Sequence, residues 1–543
     1  MDHNFETEKR VSVEPLAERS TRQTDHRIGS YNSEVQFWLA CLGSAVGYGN
    51  IWRFPNMMYR NGGGVFFIPF FICIVVICLP FFYLEVAYGQ LFKRTMHRYF
   101  YFGKGKEGYQ ALSFGVSIIL LYMSLLYLCV LAWCVTFLMF SFQDPLPWAV
   151  SDQEYQAGQF WKQDYFKKEF LHITDDIFDM SNYSILIIIA FILSCFMTYL
   201  TSFKGMDTAK WSVLVITPLP FLILTVLFIK GIFLSGNTIG WGYIFSADWN
   251  KLWTLQIWRD AASQVIFSSN IGINLTIHFS SLNPRNQKIL MPSVVIPVMN
   301  FATSVFAACT LFAFVGHASL ISGVEISDMP IDGQELAFVA YPAIVNMLPF
   351  PQIWSILFFT MLITIGLSSQ YSLLDSCATI LYGFLTRYEW FTLSKTFVSL
   401  PLTILTAGLA IIFFASGAGY YWLELMDLYA VSLTPIIFVL FELIVFIYLL
   451  PFEELEIKVL QNNETFPAMY KFCLKYVSPV IAFILICFGI VNEVINTSSE
   501  NPWVILIGVC LLLFPLIVTL LVFLFPCKIL YAEELMNEED SAK

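Results

Sequence analysis

Residues 41–64 read CLGSAVGYGNIWRFPNMMYRNGGG, and the fold turns on how this stretch crosses a membrane. Its surroundings are apolar, yet Gly43, Gly47 and Gly49 interrupt what would be a spanning helix, and Asn50 and Arg53 follow at once. A chain in lipid cannot leave backbone groups unpaired. A helix broken at membrane depth is tolerated where it lines a cavity, and its freed carbonyls can then bind ions. The stretch therefore reads as a site for ions and substrate rather than as an anchor.

Composition sets the context. Of 543 residues, 57% are hydrophobic, 17% aromatic and 13% charged, with a mean hydropathy of +0.69. Soluble proteins carry about 25% charged residues, so this is a polytopic membrane protein. The net charge of −11 lies largely in polar ends and loops, and no basic patch points to nucleic acid. The 12 cysteines fall mostly in apolar runs, as Cys73, Cys78, Cys129 and Cys134 do, and read as small buried hydrophobes. The first 34 residues are polar and charged, so no cleavable signal peptide is expected. No catalytic triad, phosphate loop or metal-cluster spacing appears, which leaves enzymatic function without support.

Runs of about 20 apolar residues are the spanning unit. Twelve are expected, near 35–58, 65–92, 113–141, 184–202, 211–234, 258–281, 290–320, 351–386, 392–414, 421–450, 472–492 and 502–526. An even number places both ends on one side, and Lys and Arg bias selects that side. With the N-terminus inside, all but eight of the 29 Lys and Arg (Arg53, Arg60, Lys162, Lys167, Lys168, Lys230, Lys251 and Arg259) fall on inner segments. Both termini are therefore expected in the cytoplasm. The division is a tail 1–34, a transporter domain 35–526 and an acidic tail 527–543. A second interruption, SSNIGINL at 268–275, cuts the sixth span. The two breaks open two successive sets of five helices, about 35–234 and 258–450, with spans 11 and 12 (472–526) beyond them. Paired breaks at corresponding positions mark an inverted-repeat transporter with its site at the midplane.

Several segments then carry a family resemblance. GSAVGYGNIWRFP and NGGGVFFIPF, KGMDTAKWSVLVITPLP, SQVIFSSNIGIN, the run ELAFVAYPAIVNMLPFPQIWSILFFTMLITIGLSSQYSLLD, and MDLYA occur in the order found in sodium-coupled neurotransmitter and amino acid symporters. Over residues 27–526 the chain resembles that neurotransmitter:sodium symporter family, on the side of its amino acid carriers. The resemblance implies an all-α membrane protein of twelve transmembrane helices, a five-plus-five inverted repeat with helices 1 and 6 broken (a LeuT-type fold), in the plasma membrane. It implies two sodium ions and, in animal members, chloride.

For one sodium the matching positions are the Ala45 carbonyl, Asn50, Ser268 and Asn300, completed by a substrate carboxylate. For the other they are the carbonyls of Gly43, Val46 and Ile365 and the hydroxyls of Ser368 and Ser369. Position 368 is Ser where many neurotransmitter carriers have Asp. Sodium held in a dehydrated cage takes carbonyl, hydroxyl and amide oxygens, and each position has one. Substrate would lie against Ala45, Gly47, Tyr48, Gly49, Met123, Tyr127, Phe267, Ser268, Asn270, Ile273, Ser369 and Leu373. Tyr127 matches the tyrosine that binds the substrate carboxylate. Asn270 stands where a smaller residue is usual and could reach a polar substrate. At Gly47 monoamine carriers have an aspartate; its absence favours a zwitterion, and the apolar lining favours a neutral amino acid.

Chloride matches Gln264, Ser268, Asn300 and Ser304, but the usual fifth position, a tyrosine, is Phe70. Arg53 and Asp427 resemble the outer gate pair, with Phe267 as a lid. At the inner gate Arg27 is one residue off the family spacing, Gly383 stands where an acid is expected, and Glu389 or another acid is left as its substitute. Asn182 and Asn496 begin glycosylation sequons. The long outer loop 142–183 lacks the cysteines that form a disulfide in many animal relatives. The expected function is sodium-coupled, chloride-assisted import of a neutral amino acid. GABA, glycine, taurine or betaine transport, a channel, or a non-transporting receptor or partner subunit keeping the fold are the alternatives.

Overall fold

The computed structural model describes residues 31, 34–92, 111–150, 160, 162, 164–202, 214–329, 333–385, 395–450, 452–496 and 502–524. Helices dominate. Nine among the described residues are long and apolar enough to cross a membrane. They are α3 (Gly64–Phe92), α4 (Ala111–Phe140), α6 (Leu214–Ile232), α10 (Leu290–Ser322), α12 (Pro351–Leu385), α13 (Thr396–Phe414), α14 (Gly419–Leu449), α16 (Ala468–Val491) and α17 (Pro502–Leu524). Between them lie α5 (Ile185–Ser202), α7 (Asn237–Phe245), α11 (Leu336–Asn346) and α15 (Phe452–Gln461). The remaining expected spans, near 35–58 and 258–281, are each in two pieces, α1 (Glu34–Ala45) with α2 (Phe54–Arg60), and α8 (Leu255–Ser269) with α9 (Leu275–Ser281). A break cuts the apolar run, so neither half reaches the length of a spanning helix.

The breaks follow from local chemistry. In the first, Val46 N still donates to Leu42 O at 2.8 Å, and the helix then resumes through a wide turn, Gly49–Arg53. In the second, Asn270, Gly272 and Asn274 take φ values of 55°, 76° and 65°. These are left-handed conformations, open to Gly and tolerated by Asn. Glu85 of α3 satisfies the loosened backbone there: its Oε1 accepts from Gly272 N at 3.0 Å, with the carboxyl fully buried. A side chain at 272 would also strike Val439, whose Cγ2 lies 2.2 Å from the Cβ position.

Around the breaks, α4 and α12 pack along one another, α9 packs on α3, and α1 touches α9, α10 and α12. Trp133, Tyr83, Phe54 and Phe137 are among the large side chains fully buried there. By contrast α5, α13, α16 and α17 present exposed apolar residues such as Phe196, Ile404, Phe483 and Leu520. Such faces suit lipid rather than water. Among the described residues after α4, Trp148 stacks on Phe137 at 5.1 Å, and Phe166 on Phe338 at 5.3 Å.

Candidate functional site

The break at Val46 and Gly47, with the wide turn Gly49–Arg53 that follows it, lies against α8, α10 and α12. Asn50 is wholly buried, and its Nδ2 donates to Asn300 Oδ1 at 2.8 Å and to Ser304 Oγ at 2.8 Å. Its Oδ1 accepts from Gly47 N at 3.0 Å, turning the broken backbone back on itself. Asn300 Nδ2 in turn donates to Ser268 Oγ at 2.9 Å. Four side chains from three elements thus meet in one buried cluster of amide and hydroxyl groups. Ala45 is buried at the end of α1, where helix hydrogen bonding stops.

A second group of oxygens lies where α1 meets α12. Ser368 Oγ donates at 2.9 Å to Gly43 O, and Ile365 O lies at the same 2.9 Å from that hydroxyl. Ser369 is buried with a hydroxyl that has no hydrogen-bond partner among the described residues, and Val46 is buried beside the break. Uncharged oxygens from both sides of a helix break, with one hydroxyl unused, fit a small monovalent cation and offer it no formal charge.

Gly47 separates the two groups. A Cβ there would lie 2.5 Å from Tyr127 Oη and 3.3 Å from Ser369 Oγ. The α4 tyrosine therefore reaches the backbone of the break, and any side chain at 47 would push it away. Tyr48 stacks on Tyr127 at 5.1 Å and on Trp52 at 4.7 Å, fixing the phenol from the side. Tyr48, Gly49, Met123, Tyr127 and Phe267 line the floor of a cavity of about 1250 Å³. Arg53 and Asp427 line the same cavity, which reaches exposed Arg60. The Arg53 guanidinium lies 4.4 Å over the Phe267 ring and donates to Ser432 Oγ at 3.2 Å, but no ion pair joins it to Asp427 among the described residues. At the rim Lys167 pairs with Glu335 at 2.8 Å.

Other residues singled out by sequence lie differently. Ile273 borders a small gap under Phe267 with Met123. Leu373 is buried in the core of α12. Asn270 turns toward the first helix, its Nδ2 donating to Ser44 O at 2.7 Å and Ser44 Oγ at 3.1 Å. Gln264 is wholly buried, donates to Gly49 O at 3.0 Å and has an Oε1 without a partner among the described residues. Phe70 belongs to a ring cluster with Phe54 (5.0 Å) and Phe301 (5.5 Å) and offers no donor to an anion. Asn182 is exposed with φ 59°. Arg27, Glu389 and the side chain of Asn496 lie outside the described residues. Glu85 was not among the expected site residues, although a carboxyl in an apolar span is itself a signal of function.

Residues 28–529 match the model of the sodium:neurotransmitter symporter family. The chain belongs to that family. This symporter is a membrane transporter, not an enzyme. It is 28% identical over 542 residues to the sodium- and chloride-dependent glycine transporter 1 of Xenopus laevis, covering 91% of this chain and 83% of that protein. It is similar also to the creatine transporter of Torpedo marmorata (28% identity; 90% and 82% covered) and to the sodium- and chloride-dependent GABA transporter 2 of Mus musculus (26%; 91% and 85%).

Proposed function

We propose that this symporter imports a neutral amino acid or similar zwitterion with two sodium ions, assisted by chloride, by alternating access across the plasma membrane. Both termini are cytoplasmic, and twelve spans in 35–526 form two inverted five-helix repeats plus helices 11 and 12. Asn50, Ser268, Asn300 and the Ala45 carbonyl hold one ion. Gly43, Val46, Ile365, Ser368 and Ser369 hold the other. The substrate carboxylate meets the first ion and the Tyr127 hydroxyl.

The observation that carries this reading is the approach of Tyr127 to Gly47. The 2.5 Å to a Cβ position leaves no room for the aspartate of monoamine carriers. A substrate must then bring its own carboxylate, and its amine finds freed backbone carbonyls. Gln264, Ser268, Asn300 and Ser304 supply amide and hydroxyl donors for chloride, one fewer than usual because of Phe70. Arg53, Asp427 and Phe267 form the outer gate, drawn open around the cavity. Closing it and tilting the broken helices would release substrate inward. Each net positive charge moved is driven by about 2.3 kcal/mol per 100 mV.

The test is uptake of labelled glycine, leucine, GABA, taurine, betaine and creatine in expressing cells. Sodium is replaced by choline in one arm and chloride by gluconate in another. Accumulation of a neutral α-amino acid that vanishes in choline and falls in gluconate is expected. Accumulation of creatine or GABA alone would reassign the substrate, and uptake indifferent to gluconate would remove the chloride site.

A further inference from the structure

Side chains tie the first break to its neighbours, and one of these ties falls between the two proposed sodium groups. Asn50 Nδ2 holds the break to Asn300 of α10 at 2.8 Å, and Asn300 Nδ2 holds α10 to Ser268 of α8 at 2.9 Å. Asn270, the residue that caps the end of α8, completes the circuit back to α1. Its Nδ2 donates to Ser44 O at 2.7 Å and to Ser44 Oγ at 3.1 Å, one hydrogen for each acceptor. Ser44 is buried, next to last in α1. Gln264 ties α8 to the far side of the same break, at Gly49 O.

Ser44 stands between Gly43 and Ala45, whose carbonyls serve different ions in the proposed function. A continuous helix would pair the amides of Gly47 and Tyr48 with the carbonyls of Gly43 and Ser44. Gly47 N goes to Asn50 Oδ1 instead, and Gly43 O is taken up by Ser368 Oγ at 2.9 Å. Ser44 O is taken up by Asn270. Peptide units are planar, so fixing the Ser44 carbonyl fixes the unit that links Ser44 to Ala45. That limits the directions in which the carbonyls on either side can point. Asn270 takes φ 55°, a conformation that glycine adopts as readily. The backbone angle alone therefore does not require an amide at 270, whereas the contact with Ser44 does.

We propose that Asn270 is a positioning residue for both sodium ions: by holding Ser44 it aims the Gly43 and Ala45 carbonyls, acting through the backbone rather than as a ligand. The proposal rests on the two-sodium reading of the site, but its test needs no transport. The full-length protein is purified in detergent, and its thermal midpoint is followed as sodium chloride replaces choline chloride at constant ionic strength. An ion that binds only the folded state raises the midpoint once its concentration passes its Kd. A uniform loss of stability lowers the whole curve and leaves that onset in place. In Asn270→Gly the sodium concentration at the onset increases by about fivefold or more, the order expected from lost hydrogen bonds. Asn270→Ser, whose oxygen stops one bond short of the Nδ2 position, shows the same increase. Asn274→Gly makes the same exchange at φ 65° in the same break, where the amide bonds Ser376 Oγ of α12 at 3.1 Å. Its onset stays within about twofold of the parent. An onset within about twofold of the parent in either folded Asn270 variant overturns the positioning role, because the carbonyls are then aimed without it. An equal increase in Asn274→Gly also overturns it, by making the effect a general loosening of the break. A parent whose midpoint does not rise with sodium would instead overturn the sodium sites themselves, whatever the variants show.

Discussion

At position 47 the missing methyl group is what brings Tyr127 to the broken backbone. Alanine there would place a carbon 2.5 Å from the phenol oxygen, and the stacked Tyr48 leaves the ring little freedom to retreat. Gly47→Ala should therefore cost the bond from Tyr127 to a carboxylate. A hydrogen bond to a charged group is worth about 1.5–3 kcal/mol, so uptake at low substrate should fall about tenfold or more at equal surface expression. Unchanged KM and maximal rate would show that Tyr127 does not serve the substrate. Gly47 was legible in the sequence because a missing carboxylate is visible there. Asn270 was not: its side chain suggests a substrate contact, but a φ of 55° turns the amide onto Ser44. No residue type announces its own backbone angle.

The two breaks were legible as elements, since Gly, Asn and Ser clusters in apolar runs have few other uses. What holds the breaks together was not. Glu85 and Gly272 are 187 positions apart, and only the packing of α3 on α9 brings them within 3.0 Å. The same is true of Asn270 and Ser44, which sequence spacing sets on two separate spans. Removing the acceptor in Glu85→Ala leaves a buried amide unsatisfied, a cost of about 1–3 kcal/mol. A lower thermal midpoint of the detergent-purified protein and reduced uptake should follow. Glu85→Gln keeps an oxygen for Gly272 and should retain most of both. An alanine variant as stable and active as the parent would mean that the carboxyl does not support the break.

For the whole molecule, composition alone decides the solvent: with 13% charged residues the chain needs lipid around it. Among the described residues nine helices meet the length of a span, and the broken pair cannot, because the interruption also cuts the apolar run. The substrate is less legible, since relatives at 26% to 28% identity include glycine, creatine and GABA transporters. The central claim is that the first broken helix couples sodium to a substrate carboxylate through Asn50 and Tyr127. Its most direct measurement is the sodium dependence of labelled amino acid uptake in the parent, Asn50→Ala and Tyr127→Phe, each corrected for surface expression. Concentrative, sodium-dependent uptake in the parent and its loss in both variants is the predicted result; normal sodium-dependent uptake in both variants would contradict it.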